Sequence, residues 1–162
     1  MEDQLKDIPL EEDTQYGKYL TFHLGKEIFA LEIKYVTEII QIQTITEIPE
    51  MPVFVKGIIN LRGKIIPVID VRVRFKKEPK EYSDRTCVII TDITEQTIGF
   101  IVDQVFEVIY IPDEEIVPPP TELTGYQAQY IKAIGKVGED VKLILDCEKV
   151  IYETEASSIA NP

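Results

Sequence analysis

The sequence has 162 residues, 44% of them hydrophobic, so it can bury the core of one ordinary domain or of two small ones. Its formal net charge of -12 argues against nucleic acid as a partner, because binding to a phosphate backbone depends on a basic footprint. No apolar run approaches the roughly 20 residues of a membrane span, and the N-terminus lacks the basic start and apolar stretch of a signal peptide. We therefore expect a cytosolic protein without direct membrane insertion.

The two ends of the chain differ in composition from its middle. Residues 1–15 are mostly polar and acidic and show no sustained periodicity, and residues 157–162 form a second, shorter polar segment. The pattern predicts a mobile acidic tail over 1–15, one folded unit over 16–156 and a C-terminal tail over 157–162.

The first predicted elements are a pair of strands. Residues Tyr19–Leu24 alternate between apolar and polar side chains, as a half-buried strand should, and Ile28–Ile33 returns after a turn at Gly25. The following segment, 34–42, has features of both a helical turn and a strand. Two prolines then bracket a loop over 49–52.

A hairpin is predicted next, from two apolar runs separated by three residues. Gly57–Leu61 and Ile65–Val71 are rich in β-branched residues, and Gly63 supplies the positive φ that a tight connection requires. Pro67 cannot donate to a central ladder, which predicts an edge strand or a local break. The basic run over 72–77 follows in an otherwise acidic chain, so a feature outside the hairpin is expected to need that charge.

The second half of the sequence repeats this plan. Its predicted elements are a strand (Thr86–Ile93), a long β-branched run (Ile98–Ile111), a proline-rich loop (112–120), a hairpin (Tyr130–Val137 and Val141–Cys147) and a terminal helix (Glu148–Ala156). Residues 36–40 align with 105–109, and 68–71 align with 144–147. The repeat predicts two similar small barrels or curled sheets, because about 70 residues of short strands suffice for a five-stranded barrel.

Catalytic chemistry finds little support in the sequence. The single histidine, His23, lies on the polar face of the first strand, and no glycine-rich phosphate loop is present. Cys87 and Cys147 lack metal-ligand spacing and are predicted to be small buried hydrophobes. The acidic cluster over 113–115 is typical of solvated loop charges. We predict no catalytic residue, no metal site and no cofactor, and keep a small hydrolase using loop carboxylates as an alternative.

Two charged residues stand out as candidates for recognition. Glu38 is surrounded by aliphatic residues at Val36, Ile39, Ile40 and Ile42. Its carboxylate is either an outward polar position on an amphipathic element or a group that sets register for a docking partner. Arg62, at the hairpin tip, is either solvated or folds back onto carbonyls or a carboxylate and holds the turn.

The hairpin carries a family resemblance. Residues 57–63, reading GIINLRG, together with 66–72, reading IPVIDVR, resemble the signature hairpin of CheW, the bacterial chemotaxis coupling protein. Three other segments are similar to that family: 19–25, 36–40 and 101–105. The likeness covers roughly Lys18 to Ile151. It implies a single CheW-like domain made of two intertwined five-stranded SH3-like barrels, about 16–83 and 84–156, between which strands can be exchanged.

The resemblance also implies a non-enzymatic adaptor that links transmembrane chemoreceptors to the histidine kinase CheA. One end of the first barrel docks the kinase regulatory domain, and the matching residues here are Val36, Glu38, Ile39, Ile40 and Ile42. The cytoplasmic receptor tip binds in the groove between the barrels, and the candidate residues there are Gly57, Asn60, Arg62, Val88, Val105 and Val108.

Further expectations follow from the family. Such an adaptor is cytoplasmic, is recruited to membrane-associated receptor arrays, and can pair barrel ends in rings, which includes CheW self-association. A coupling module for a non-chemotactic signalling kinase is the alternative within the same class. The basic run 72–77 and the prolines Pro118–Pro120 match no family role.

Overall fold

A computed structural model describes residues 15–152, which fold mainly into β-strands. The strands, in chain order, are β1 (Lys18–Leu24), β2 (Glu27–Glu32), β3 (Val36–Gln41), β4 (Val55–Leu61), β5 (Lys64–Asp70), β6 (Cys87–Ile93), β7 (Gln96–Val102), β8 (Gln104–Tyr110), β9 (Ile116–Val117), β10 (Ile131–Val137) and β11 (Asp140–Leu145). The short helices α1 (Val71–Arg74) and α2 (Cys147–Ile151) follow β5 and β11, and 3-10 turns cover Ile33–Tyr35, Asp113–Glu115 and Tyr126–Tyr130. The predicted tails, apart from Gln15, lie outside the described residues.

The strands form two sheets. One has six strands in the order β8-β1-β2-β11-β10-β9, and the other has five in the order β3-β6-β7-β5-β4. Because β9 has only two residues, each sheet contains five longer strands, and the predicted mainly β fold class is confirmed. Thr46 and Ile58 exchange two backbone hydrogen bonds of 2.9 Å, so the segment after β3 reaches β4 at the opposite edge of the five-stranded sheet.

Each sheet combines strands from both halves of the sequence. The β1–β2 hairpin pairs with β8 and β11, while the β6–β7 hairpin pairs with β3 and β5. The contacts β2–β11 and β5–β7 are parallel, whereas the other pairings are antiparallel. Equivalent strands of the internal repeat therefore occupy equivalent places in the two sheets, and no sheet is built from one half alone.

The long β-branched run of the second half is two strands rather than one element. β7 ends at Val102, β8 begins at Gln104, and the two strands belong to different sheets. The ambiguous segment 34–42 combines both of its predicted forms, since a 3-10 turn leads directly into β3. The predicted terminal helix is α2, which begins one residue earlier than expected and ends at Ile151, because the backbone of Tyr152 is extended; 153–156 lie outside the described residues.

Each of the two helices is capped at its N-terminus by an aspartate, and the two aspartates are equivalent positions of the internal repeat. Asp70 Oδ1 accepts a hydrogen bond from the Arg72 N–H at 3.0 Å, and Asp146 Oδ1 accepts one from the Lys149 N–H at 3.2 Å. A capping carboxylate satisfies backbone donors that the first helical turn leaves without partners. The repeated aspartate therefore has an architectural reason, which is to start a short helix after the last strand of each repeat.

Pro67 lies in an interior strand, so the prediction of an edge strand is wrong. β5 has β4 on one side and β7 on the other. Opposite Pro67 in β4, Ile58 directs both its backbone groups away from β5, toward Thr46. Pairing with β7 begins only at Val68, one residue after the proline. The missing N–H of Pro67 thus falls where neither neighbour requires it, and the ladder with β4 continues through the Ile58–Pro67 pair without the predicted local break.

The two sheets share one main hydrophobic core. Buried side chains from both sheets form it, including Leu20, Phe22, Phe29, Ile89 and Phe100. A smaller cluster around Val68, Val88 and Ile90 fills the inside of the five-stranded sheet, and another around Ala30, Ile111 and Ile144 belongs to the six-stranded sheet. Two small barrels that each lack a sufficient core are stabilised by the surface between them.

The basic run after the hairpin is used inside the molecule. Arg74 is buried and donates to carbonyl oxygens of Lys149, Val150 and Tyr152 at the end of α2. Its guanidinium also lies 3.9 Å from the centroid of the Phe54 ring. Lys77 pairs with Glu27 in β2 at 2.5 Å. Cations favour helix C-termini, so these contacts tie α1 to elements from both ends of the chain.

Candidate partner-binding surfaces

The residues predicted to bind the kinase lie on β3 and just after it, at an edge of the five-stranded sheet. Val36, Glu38 and Ile40 are half-buried, whereas Ile39 is 42% exposed. Val36 packs against the main core, while Ile40 and Ile42 pack against the cluster inside the five-stranded sheet. Ile39 is therefore the aliphatic residue of this set that is most available to a partner.

An ion pair joins this surface to the hairpin tip. Arg62 Nη2 donates to Glu38 Oε2, so Arg62 folds back onto a carboxylate, one of the two forms that the sequence allows. Both side chains are partly solvated, and a pair of this kind contributes about 0–1 kcal/mol to stability. The pair borders a surface cavity of about 330 Å³ that Ile66 and Ile90 also line. A partner that binds either charge must share the ion pair or break it.

The hairpin tip itself is a two-residue turn. Arg62 and Gly63 have φ values of 52° and 88° and connect Leu61 with its paired residue Lys64. A left-handed backbone costs a non-glycine residue about 1 kcal/mol, so Arg62 depends on local support. Asn60 Oδ1 provides such support by accepting a hydrogen bond from the Gly63 N–H at 2.8 Å. Asn60 is exposed, and it both shapes the tip and remains accessible.

Two of the residues predicted to bind the receptor are buried. Gly57 has φ 154°, and a Cβ added there would lie 2.2 Å from the carbonyl oxygen of Thr46. Val88 is 0% exposed and belongs to the cluster inside the five-stranded sheet. In this conformation neither residue is available for direct contact. Each instead packs beneath the surface that the receptor is predicted to contact.

The remaining two lie on β8, at an edge of the six-stranded sheet. Val105 is half-buried against the main core, and Val108 is 53% exposed. Phe106 and Tyr110 on the same strand are also exposed, although the sequence did not single them out. The Phe106 ring meets the half-buried His23 ring edge-on, with centroids 5.2 Å apart. β8 therefore presents an apolar surface larger than the two predicted valines.

A half-buried ion pair lies at the start of β8. Asp103 is the single residue between β7 and β8, and it accepts from Arg72 Nε at 2.8 Å and from Arg72 Nη2 at 2.7 Å. The Gly25 N–H donates to the same carboxylate at 2.7 Å, while Arg72 Nη1 donates to the Glu78 carbonyl at 2.7 Å. The side chains of Arg72 and Asp103 are 15% and 10% exposed. We call this pair the Arg72–Asp103 clasp.

The clasp controls the charge of Asp103. Burial alone would raise the pKa of this carboxyl group, but the hydrogen bonds from Arg72 and Gly25 outweigh it and hold the pKa below the ordinary value. The hydrogen bond to Asp103 in turn raises the pKa of Arg72. Both groups are therefore charged over the whole physiological pH range.

Residues 15–152 show no group of three or more His, Cys, Asp or Glu side chains placed to hold a metal ion. In the same range, no helix is long and apolar enough to cross a membrane. Cys147 is buried and Cys87 is half-buried, and both are free thiols. Burial raises the pKa of the Cys147 thiol, which disfavours the thiolate form that a nucleophile requires.

Comparison with known proteins identifies the family to which the chain belongs. A family model described as the CheW-like domain matches residues 18–155. The chain belongs to the CheW family. The chemotaxis protein CheW of Klebsiella aerogenes is 33% identical over 149 residues, which cover 92% of this chain and 90% of that protein. The chemotaxis protein CheW of Treponema pallidum is 31% identical over 158 residues, covering 95% of this chain and 93% of that protein.

The fold is also that of a solved CheW structure. The crystal structure of the scaffolding protein TtCheW from Thermoanaerobacter tengcongensis superposes with a TM-score of 0.74 and 42% sequence identity. The match covers 80% of this chain and 88% of that chain. In sequence and in fold, this chain therefore belongs to the CheW family of chemotaxis scaffolds.

Within this CheW-family chain, sequence reasoning missed the clasp and the wider surface of β8. Arg72 ends the family-like run 66–72 and begins a basic run, and Asp103 lies in the family-like segment 101–105, but the sequence gives neither residue a contact or a role. Their separation of 31 positions gives no local signal of contact. Phe106 and Tyr110 alternate with polar or buried neighbours, and their exposure follows from the edge position of β8.

Proposed function

We propose that this chain couples transmembrane chemoreceptors to the histidine kinase CheA as a non-enzymatic adaptor in chemotaxis. The observation that carries the proposal is the placement of the two candidate surfaces. β3 and β8 lie at edges of different sheets, so two partners can dock without competing for one strand. The names of the relatives, which are chemotaxis proteins, favour this function over coupling to a non-chemotactic kinase.

The kinase regulatory domain docks on the β3 surface. Ile39 supplies exposed apolar area and Glu38 supplies a partly exposed carboxylate beside it. Val36, Ile40 and Ile42 fix the strand by packing inward. An apolar contact with a polar group at its rim is a common composition of a specific interface, in which the charge selects register and partner.

The cytoplasmic receptor tip docks between the sheets. Val108 and the half-buried Val105 provide the apolar wall on β8, and Asn60 and Arg62 provide polar contacts at the hairpin tip. Gly57 and Val88 act indirectly, because both are buried. In this proposal the ion pair between Arg62 and Glu38 brings a group of each surface into contact.

The cellular setting belongs to the same proposal. The adaptor works in the cytoplasm, is recruited to membrane-associated receptor arrays, and associates with further copies in rings that alternate with kinase domains. It uses neither nucleic acid nor a cofactor. The net charge of -12 supports protein partners that carry basic surfaces.

Replacing Glu38 tests the assignment of the kinase surface. Glu38→Ala is expected to weaken binding of the kinase regulatory domain by about tenfold, the equivalent of about 1.4 kcal/mol. Affinity for the receptor tip is expected to change less than threefold. In free energy, this is less than half of the change expected for the kinase domain. Isothermal titration calorimetry with each purified partner measures both values.

The matched control removes a carboxylate elsewhere. Glu139 lies in the exposed turn between β10 and β11, so Glu139→Ala is expected to preserve both affinities. Kinase affinity that is the same for Glu38→Ala as for the unmodified chain would remove Glu38 from the kinase surface.

A further inference from the structure

The clasp lies where the chain changes sheets. Asp103 separates β7 of the five-stranded sheet from β8 of the six-stranded sheet, so its position fixes where β8 begins. Its carboxylate receives donors from α1 and from the β1–β2 turn, through Arg72 and Gly25. The Asp103 N–H also donates to the His23 carbonyl of β1 at 3.2 Å. These bonds restrain both the backbone and the side chain of this junction.

The ladder at the start of β8 is irregular, and the Thr21 hydroxyl bonds to the backbone N–H and carbonyl of Glu107 across the irregularity. Pairing between β8 and β1 changes register at Thr21 and Phe22, which are opposite Glu107 and Val105, so one residue of β8 bulges out of the ladder. A bulge lets a strand bend and twist more strongly than a regular ladder does. As an edge strand, β8 has no second neighbour within the described residues that would correct such a shift.

We propose that the Arg72–Asp103 clasp is a positioning element for the receptor surface on β8. The clasp sets the direction in which β8 leaves the five-stranded sheet, and thereby the placement of Val105 and Val108. The inference rests on the proposed function, since it assigns the β8 surface to the receptor. Arg72 and Asp103 touch no partner in this account, and they act through the strand that they hold.

The geometry of the guanidinium is central to this role. Arg72 uses three nitrogen atoms at once, two on Asp103 and one on the Glu78 carbonyl, in a planar arrangement. A lysine ammonium keeps the charge but is a point donor on a flexible stem, so it cannot reproduce the paired contacts. Arg72→Lys therefore separates the geometry of the clasp from its charge.

The test compares three variants of the full chain with the unmodified protein. Arg72→Lys and Asp103→Asn disturb the clasp, and Glu32→Gln is the matched control. Glu32 pairs with Lys132 at 2.5 Å in the same six-stranded sheet, but on β2 and β10 rather than on β8. Each variant is assayed for binding to a purified receptor tip and to a purified kinase regulatory domain, and for hydrogen exchange of backbone amides.

Both clasp variants are expected to bind the receptor tip about tenfold more weakly and the kinase domain within about threefold of the unmodified affinity. Amides of 104–108 are expected to exchange faster, while those of β3 and β4 keep their protection. Glu32→Gln is expected to preserve both affinities and the exchange of 104–108. A clasp that only stabilised the fold would lower both affinities and speed exchange in both sheets.

Two results would overturn the proposal. One is faster exchange in both sheets together with parallel loss of both affinities, and the other is unchanged exchange and receptor affinity in both clasp variants. The variant Val108→Asp distinguishes failure of the clasp proposal from failure of the proposed function. If Val108→Asp also leaves receptor affinity unchanged, the receptor does not use β8 and the proposed function fails. In that case, faster amide exchange confined to 104–108 in the clasp variants would still show that the clasp positions the strand.

Discussion

Gly57 has a backbone position that a residue with a side chain can occupy only if Thr46 moves. The carbonyl oxygen of Thr46 accepts a hydrogen bond from the Ile58 N–H, and this contact brings the two segments close together. Gly57 is also one of the residues predicted to bind the receptor. Its burial indicates that a substitution acts on the shape of β4 and only then on any partner.

Gly57→Ala is expected to lower the free energy of unfolding by about 3 kcal/mol, because both the φ of 154° and the contact with Thr46 oppose a Cβ. Urea denaturation followed by circular dichroism measures the change. Gly138→Ala is the control, since its φ of 62° carries the backbone cost but the site is open, and about 1 kcal/mol is expected. Equal losses in the two variants would contradict the importance of the contact.

Asp103 gives a prediction for pH. Its pKa in the folded state is lower than the ordinary value near 3.8, so the clasp stabilises the fold above that pH and is lost as the pH falls through the folded pKa. Asp103→Asn lacks this dependence. The unmodified chain is therefore expected to melt higher than Asp103→Asn at pH 7, with a gap that narrows below about pH 4.

Thermal melts of both chains from pH 7 to pH 2 measure this gap. Asp140→Asn, at the exposed first residue of β11, is the control and is expected to melt close to the unmodified chain at pH 7. A gap that stays constant down to pH 2 would show that the charge of Asp103 does not stabilise the fold.

At the level of elements, β8 carries the clearest surface. It is an edge strand with an exposed valine and two exposed aromatic residues, whereas β1 beside it is almost entirely buried. Exposed apolar area on an edge strand is a liability unless a partner covers it. The chemistry of β8 therefore fits a contact surface.

Val108→Asp is expected to weaken binding of the receptor tip by at least about tenfold, since it places a charge at the centre of the apolar contact. Kinase affinity is expected to stay within about threefold. Surface plasmon resonance with each immobilised partner measures the two affinities. Val141→Asp, on β11 of the same sheet and 57% exposed, is the control for a general effect of the charge. Loss of receptor binding in both variants to the same extent would deny β8 a specific role.

The sequence predicts some elements better than others for local reasons. The β4–β5 hairpin follows from two β-branched runs and Gly63, because strand pattern and turn chemistry both lie within a few residues. The missing donor of Pro67 is a local property and predicts an edge strand or a local break, but the tolerance of Pro67 in an interior strand depends on where Ile58 and β7 direct their bonds. The run 98–111 likewise divides at Asp103, whose side chain contacts Arg72, a residue far from it in sequence.

The candidate site shows the same limit. The resemblance to the CheW family selects the residues, but burial of Val88 and the contact between Glu38 and Arg62 depend on the packing of distant strands. Exchange of strands between the halves is suggested by the family and not by the repeat alone. Alternation within a strand indicates which side chains share a face, and it does not indicate which face the other sheet covers.

On the scale of the whole molecule, the exchange of strands makes the two sheets interdependent. The main core contains side chains from both sheets, Arg74 of the first half holds α2 of the second, and the clasp joins α1 to the start of β8. Neither half of the sequence contains a complete sheet. The two proposed partner surfaces therefore belong to one structural unit, which would present two partners at a fixed geometry.

We expect the kinase and the receptor to bind at the same time on separate surfaces. Analytical ultracentrifugation of the full chain with the kinase regulatory domain and a receptor tip tests it most directly. We expect a ternary complex in which Glu38→Ala removes only the kinase domain and Val108→Asp removes only the receptor tip. If the two partners displace one another, so that only binary complexes sediment, the two surfaces are one and the account is wrong.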